Sequence, residues 1–210
     1  MPSQTASGQE RADQTRKAIL DATVDSLVEL GFARTSTAEV QRRAGMSRGA
    51  LLHHFPSKAV LLASAVNHLT LLRALEIKDR AAELPALPAR IDAVLDLLWE
   101  SFSGPLFSVS IELRNAARTD DELRAVLAET ELAMRRGIFA QSRLLFGDQV
   151  ASSPGFDTAL DLTLQLMAGA ATTNLLHDRP DRLGQLIDEW KRLFPMVLDG
   201  ARRLDEEKMK

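Results

Sequence analysis

The chain has 210 residues, 45% of them apolar, no cysteine and a formal net charge of −3 at neutral pH. That is ample for a sizeable hydrophobic core, and it excludes disulfides and thiolate metal centres. The opening stretch MPSQTASGQERADQTRK is polar, with no sign of a signal peptide, and no uninterrupted apolar span of bilayer length stands out. The expectation is a soluble, cytoplasmic protein without a membrane partner.

Charge is unevenly distributed. Residues 1–58 carry eight Lys and Arg against six Asp and Glu, whereas the remainder carries 18 against 23. Between Arg34 and Lys58 the only acid is Glu39. A basic patch on an acidic body attracts polyanions locally, although an ordinary solvated face shows a similar asymmetry.

In RKAILDATVDSLVELGF, Ile19, Leu20, Val24, Leu27 and Val28 recur at helical spacing, and Gly31 supplies a stop. Ser36 followed by Glu39 reads as a capping box opening a second helix, which Gly45 ends. Ser47 caps a very short helix that stops before Pro56, and Ser57 caps a long helix through residue 84. LPALPAR is a proline-punctuated joint. Helices follow over RIDAVLDLLWESF, FSVSIELRNAA and DELRAVLAETELAMRRGIFAQSRLLFG, with a break at Gly104-Pro105. GDQVASSPGFD reads as a loop, and DTALDLTLQLMAGAATTNLLH and DRLGQLIDEWKRLFPMVLDGARRL as the last two helices. The fold class is all-α, with about nine helices. The expected division is a flexible tail at 1–12, a DNA-binding domain at 13–58, a larger helical domain at 59–203 and a second tail at 204–210.

Two short helices joined by a glycine turn, after a longer one, make a helix-turn-helix. Leu51 and Phe55 are expected to anchor the second short helix inward, leaving Arg48, Gly49, Leu52 and His53 outside. Arg48, in its first turn, can reach guanine O6 and N7 in a major groove. Gly49 removes a side chain where a duplex backbone must come close. Thr35, Ser36 and Thr37 at one helix start, Ser47 at the next and Lys58 at the third offer hydroxyls, amides and an ammonium to phosphates.

The segment GFARTSTAEVQRRAGMSRGALLHHFPSK resembles the N-terminal domain of the TetR (tetracycline-repressor) family. Gly31, Phe32, Thr35, Ser36, Ala44, Gly45, Ser47, Gly49, Leu51, His54, Phe55 and Lys58 fall on that family's pattern, with Val40 and Met46 as apolar equivalents. The resemblance covers Arg16 to about Leu62, and beyond it only the helix layout agrees. It implies a ligand-released repressor that binds double-stranded DNA. Two departures matter. Leu52 stands where the family has a phosphate-contacting Tyr, a contact for which His53 or His54 can substitute. Gln41 stands where a small Ala is usual, and either re-aims the first short helix or adds a polar contact to DNA.

Rival readings are weaker. Adjacent helical residues such as His53 and His54 diverge by about 100° and lack a third ligand at useful spacing, so no metal site is expected. No nucleophile arrangement or glycine-rich phosphate cradle is present, so neither an enzyme nor a cofactor is expected. A helical adaptor or ligand-binding protein that kept the fold without sequence-specific DNA binding is the alternative, and Leu52 is its only hint.

In the resembling family the last two helices form a four-helix bundle with a second copy. Here LMAGAATTNL supplies small residues, including Ala168, Gly169 and Ala171. The final helix carries Leu183, Leu186, Ile187, Trp190, Phe194 and Val197 at heptad-like spacing. That stripe is expected at a homodimer interface, the competing reading being packing within one subunit. The other helices are expected to enclose a small, mostly apolar organic effector. Trp99, Phe102, Phe107, Phe139 and Met167 would line its cavity, with Ser110, Asn115, Gln165 and Thr172 as polar groups. Plain core packing is the competing account of most of these.

Overall fold

The computed structural model describes residues 4–102, 104–175 and 180–208. Among these residues every regular element is helical. The order is α1 (Gln4–Leu30), α2 (Thr37–Ala44), α3 (Arg48–His54), α4 (Lys58–Arg80), a single 3-10 turn (Ala81–Glu83), α5 (Ala89–Phe102), α6 (Pro105–Ala117), α7 (Asp121–Phe146), α8 (Asp148–Ala151), α9 (Phe156–Asn174) and α10 (Pro180–Lys208). The described residues thus hold ten α-helices rather than nine. The extra one, α8, lies in the segment expected to be a loop. Its single turn closes by Ala151 N–H donating to Gly147 O, and buried Val150 gives it an apolar anchor. Helix α1 begins well inside the segment expected to be a tail, where Gln9 donates to Asp13 one turn on.

The chain divides into two compact units, residues 1–73 with 105–134, and residues 74–104 with 135–210. In the first, Ile19, Leu20 and Leu27 of α1, Val40 of α2, Leu51 of α3 and Ala59, Leu61, Leu62 and Val66 of α4 form one core with Val109 and Leu113 of α6. This unit therefore holds more than residues 13–58, because α6 packs on α1. Its Glu112 carboxylate accepts the Phe32 N–H at 2.5 Å, just beyond the left-handed Gly31 that ends α1.

In the second unit, Val94, Leu95 and Leu98 of α5 pack with Phe156 and Leu160 of α9 and with Ile187, Trp190, Phe194 and Leu198 of α10. Phe146 stacks on Phe194 with ring centroids 5.2 Å apart. Gly155, buried at the start of α9, abuts α10 so closely that a Cβ there would lie 2.2 Å from Val197 O.

One stretch, Lys58–Glu83, is long and apolar enough by length and composition to cross a membrane. Ala59, Leu61, Leu62, Ala65 and Val66 in its first half are buried in the first unit's core, whereas Leu71, Leu72 and Leu75 further along are exposed.

Candidate nucleic-acid interface

The helix-turn-helix forms where the sequence places it, and its caps explain why. Ser36 Oγ accepts the Glu39 N–H at 3.2 Å, starting α2. Gly45 ends α2 with φ +64, a left-handed conformation that L side chains rarely adopt. Ser47 Oγ then accepts the Ala50 N–H at 3.2 Å and starts α3 after a turn of three residues. Leu51 and Phe55 are both 1% exposed and anchor α3 in the core shared with residues of α1, α2 and α4. Because they point inward, Arg48, Gly49, Leu52 and His53 are exposed and His54 is half-buried.

Gly49 has no structural requirement of its own. A Cβ there would meet nothing nearer than Ser47 Oγ at 4.0 Å, so the bare backbone is open toward an outside partner. Leu52, 42% exposed, presents an apolar tip on the same surface. Gln41 and Thr37 are half-buried, and Lys58 is exposed with its ammonium 4.9 Å from the Phe32 ring centroid.

Two expectations need correcting. Thr35 does not face a phosphate: it is 1% exposed, and its Oγ1 donates to Gly31 O at 2.8 Å, tying the turn between α1 and α2 together. Glu39 does not turn its carboxylate back to close a capping box. It accepts from Arg42 Nη2 at 2.7 Å and Arg43 Nε at 2.6 Å. Those hydrogen bonds lower its pKa from the ordinary 4.5 to about 2. Arg43 also pairs with Glu29 at 2.8 Å. Much of the basic patch near α2 is thereby neutralised, whereas Arg48 has no acidic partner among the described residues.

The residues expected at a ligand site divide between the units. Phe107, Ser110 and Asn115 lie on α6 in the first unit, with Phe107 buried and Ser110 Oγ donating to Phe107 O. Trp99, Phe102, Phe139, Gln165, Met167 and Thr172 lie in the second. There Trp99, Phe102 and Phe139 are half-buried around the core, Met167 is fully buried, and Thr172 is exposed with Oγ1 donating to Ala168 O.

The stripe expected at a dimer interface also divides. Ile187, Trp190 and Phe194 are 3%, 8% and 0% exposed within their own subunit, and Ala171 is buried with them. Trp190 Nε1 donates to Thr163 Oγ1 at 2.9 Å, a bond internal to the core. Packing within one subunit is thus the right account of these four. The large apolar residues left outside on these helices are Leu186 of the expected stripe and three that were not expected, Leu162 on α9 and Leu193 and Met196 on α10. Of the expected set, Leu186 and Gly169 are exposed, while Ala168, Leu183 and Val197 are half-buried. Between α9 and α10 lies an open groove of about 720 Å³, bordered by Leu166, Gly169, Thr173, Leu183 and Leu186. Of the residues expected at the ligand site, Gln165 borders it.

Comparison with known proteins agrees with this geometry. Residues 19–65 match the family model for bacterial regulatory proteins of the tetR family. An HTH-type transcriptional regulator of Mycobacterium tuberculosis is 32% identical over 174 residues, covering 82% of this chain and 89% of that protein. CymR of Pseudomonas putida, also an HTH-type transcriptional regulator, is 33% identical and covers 73% of this chain and 74% of that protein. The crystal structure of a transcriptional regulator from Streptomyces coelicolor A3(2) superimposes with a TM-score of 0.62 at 22% identity, covering 86% of this chain and 98% of that one. With the capped helix-turn-helix and its outward Arg48 and Gly49, these matches establish that the chain belongs to the tetR family of bacterial regulatory proteins, which are DNA-binding transcriptional regulators and not enzymes.

Proposed function

We propose that this regulator is a cytoplasmic repressor that binds a palindromic operator as a homodimer and is released by a small, mostly apolar organic molecule. The observation that carries the DNA reading is the outer face of α3. Arg48, Gly49, Leu52 and His53 are exposed there, and none of the four is needed to hold the fold. Arg48 reads guanine, Leu52 offers an apolar surface to a thymine methyl, and Ser36, Ser47 and Lys58 meet phosphates.

The second copy is supported by the apolar surface that α9 and α10 leave uncovered. Leu162, Leu186, Leu193 and Met196 are 40–66% exposed, and monomeric proteins rarely leave such a patch open. A two-fold dimer presents two recognition helices to two inverted half-sites, which is why a palindrome follows.

For the effector, the half-buried aromatics Trp99, Phe102 and Phe139 of the second unit offer the apolar lining that small-molecule sites use. A compound that binds there must weaken DNA affinity, by about 5- to 150-fold for a typical coupling. Small apolar molecules that raise the melting temperature should be titrated into the protein bound to its selected duplex. A compound that stabilises the protein while leaving duplex affinity unchanged contradicts ligand release.

A further inference from the structure

We infer that Arg16 is a DNA phosphate contact, positioned by the ring of Phe55; the inference rests on the DNA-binding reading above. The Arg16 guanidinium carbon lies 5.1 Å from the Phe55 ring centroid. Phe55 is the residue on which α3 ends, and it is buried beneath that helix. Ile19 and Leu20, three and four residues after Arg16, enter the same core as Phe55. The buried face of α1 therefore ends one turn earlier in an arginine whose stem follows the apolar surface while its head reaches solvent beside the end of α3.

What marks this arginine out is the lack of a carboxylate. Asp13, one turn before it, accepts from Gln9, and the neighbouring Lys17 holds Asp21 at 2.7 Å. Arg42 and Arg43, by contrast, are tied to acids. Among the described residues Arg16 has an aromatic face and no anion. The cation–π contact holds the guanidinium against the ring without using its N–H donors, which leaves them available to a phosphate. A backbone contact here, fixed through Phe55, sets the register of α3 without reading sequence.

The test is the salt dependence of binding. Fluorescence anisotropy of the full chain on a selected duplex and on a scrambled one, between 50 and 200 mM salt, gives the slope of log K against log salt. Arg16→Ala should weaken both duplexes alike and reduce the slope by about 0.9, so that the ratio of wild-type to variant affinity shrinks about 3.5-fold over that range. Arg16→Lys, which retains the charge, should keep most of the slope, and Lys17→Ala should leave it unchanged. A wild-type slope in Arg16→Ala, or a loss confined to the selected duplex, overturns the assignment. So does a loss of slope that Arg16→Lys shares in full, since a retained charge should retain the phosphate contact. A wild-type chain with no salt-dependent affinity for either duplex would instead sink the DNA-binding reading, and this inference with it.

Discussion

Trp190→Glu and Leu193→Glu place the same charge three residues apart on α10, with opposite expected consequences. Trp190 is 8% exposed and Leu193 48%. The Trp190 ring meets Phe194 edge-on at 6.2 Å, and its Nε1 donates to Thr163 Oγ1 at 2.9 Å. Emptying that volume costs about 3–5 kcal/mol. An unpaired buried carboxylate adds several kcal/mol more. Against a total stability of about 5–15 kcal/mol, Trp190→Glu should unfold the second unit. Leu193→Glu is a surface change for a single subunit, within about 0.5 kcal/mol. At an apolar two-fold interface its carboxylate is desolvated in both copies. At about 2 kcal/mol each, that is about 4 kcal/mol, or roughly a thousandfold in Kd. Sedimentation velocity with circular dichroism separates the outcomes: Leu193→Glu should be a helical monomer, and Trp190→Glu should lose helical signal and cooperative melting. A folded Leu193→Glu protein that stays dimeric refutes the proposed interface. A Trp190→Glu protein that melts like wild type refutes the core assignment.

Three further predictions concern other parts of the chain. Arg48→Ala should cost about 1–3 kcal/mol on the best duplex and relax its sequence preference, whereas Lys58→Ala should weaken all duplexes alike; competition with scrambled DNA distinguishes them. Gly155→Ala should destabilise the chain by about 1–3 kcal/mol in chemical denaturation, because the atoms a Cβ would meet are α10 backbone and cannot swing aside. The Glu39 carboxylate, lowered from 4.5 to about 2 by its hydrogen bonds from Arg42 and Arg43, stabilises the fold above pH 4.5 and loses that contribution as pH falls toward 2. Glu39→Gln should therefore flatten the fall in melting temperature between those values, and an unchanged acid limb would show that the two arginines do not hold it.

The parts of this protein legible from sequence are those set by local chemistry. Ser36, Gly45 and Ser47 cap or end helices through bonds to residues within four positions, so their roles follow from spacing. The inward Leu51 and Phe55 follow from the period of a seven-residue helix. What sequence left open depends on neighbours distant along the chain. The apolar residues of α10 form one broad stripe, and only the placement of α5 and α9 decides that Ile187, Trp190 and Phe194 face the core while Leu186 and Leu193 do not. Thr35 carries a family match and a hydroxyl suited to phosphate, but its turn folds the hydroxyl onto Gly31 O. Glu39 was legible as a helix-start residue, yet two arginines within one turn compete for its carboxylate more strongly than the backbone does. Arg16 carried no signal until Phe55 was placed under it.

Selection of bound duplexes from random DNA, followed by footprinting of the winners, tests most directly whether two copies of α3 read DNA as a symmetric pair. The expected result is a palindrome whose inverted half-sites are both protected, with centres a whole number of helical turns apart, about 34–36 Å each. Recovery of a single non-palindromic half-site, or no enrichment over random DNA, would contradict it.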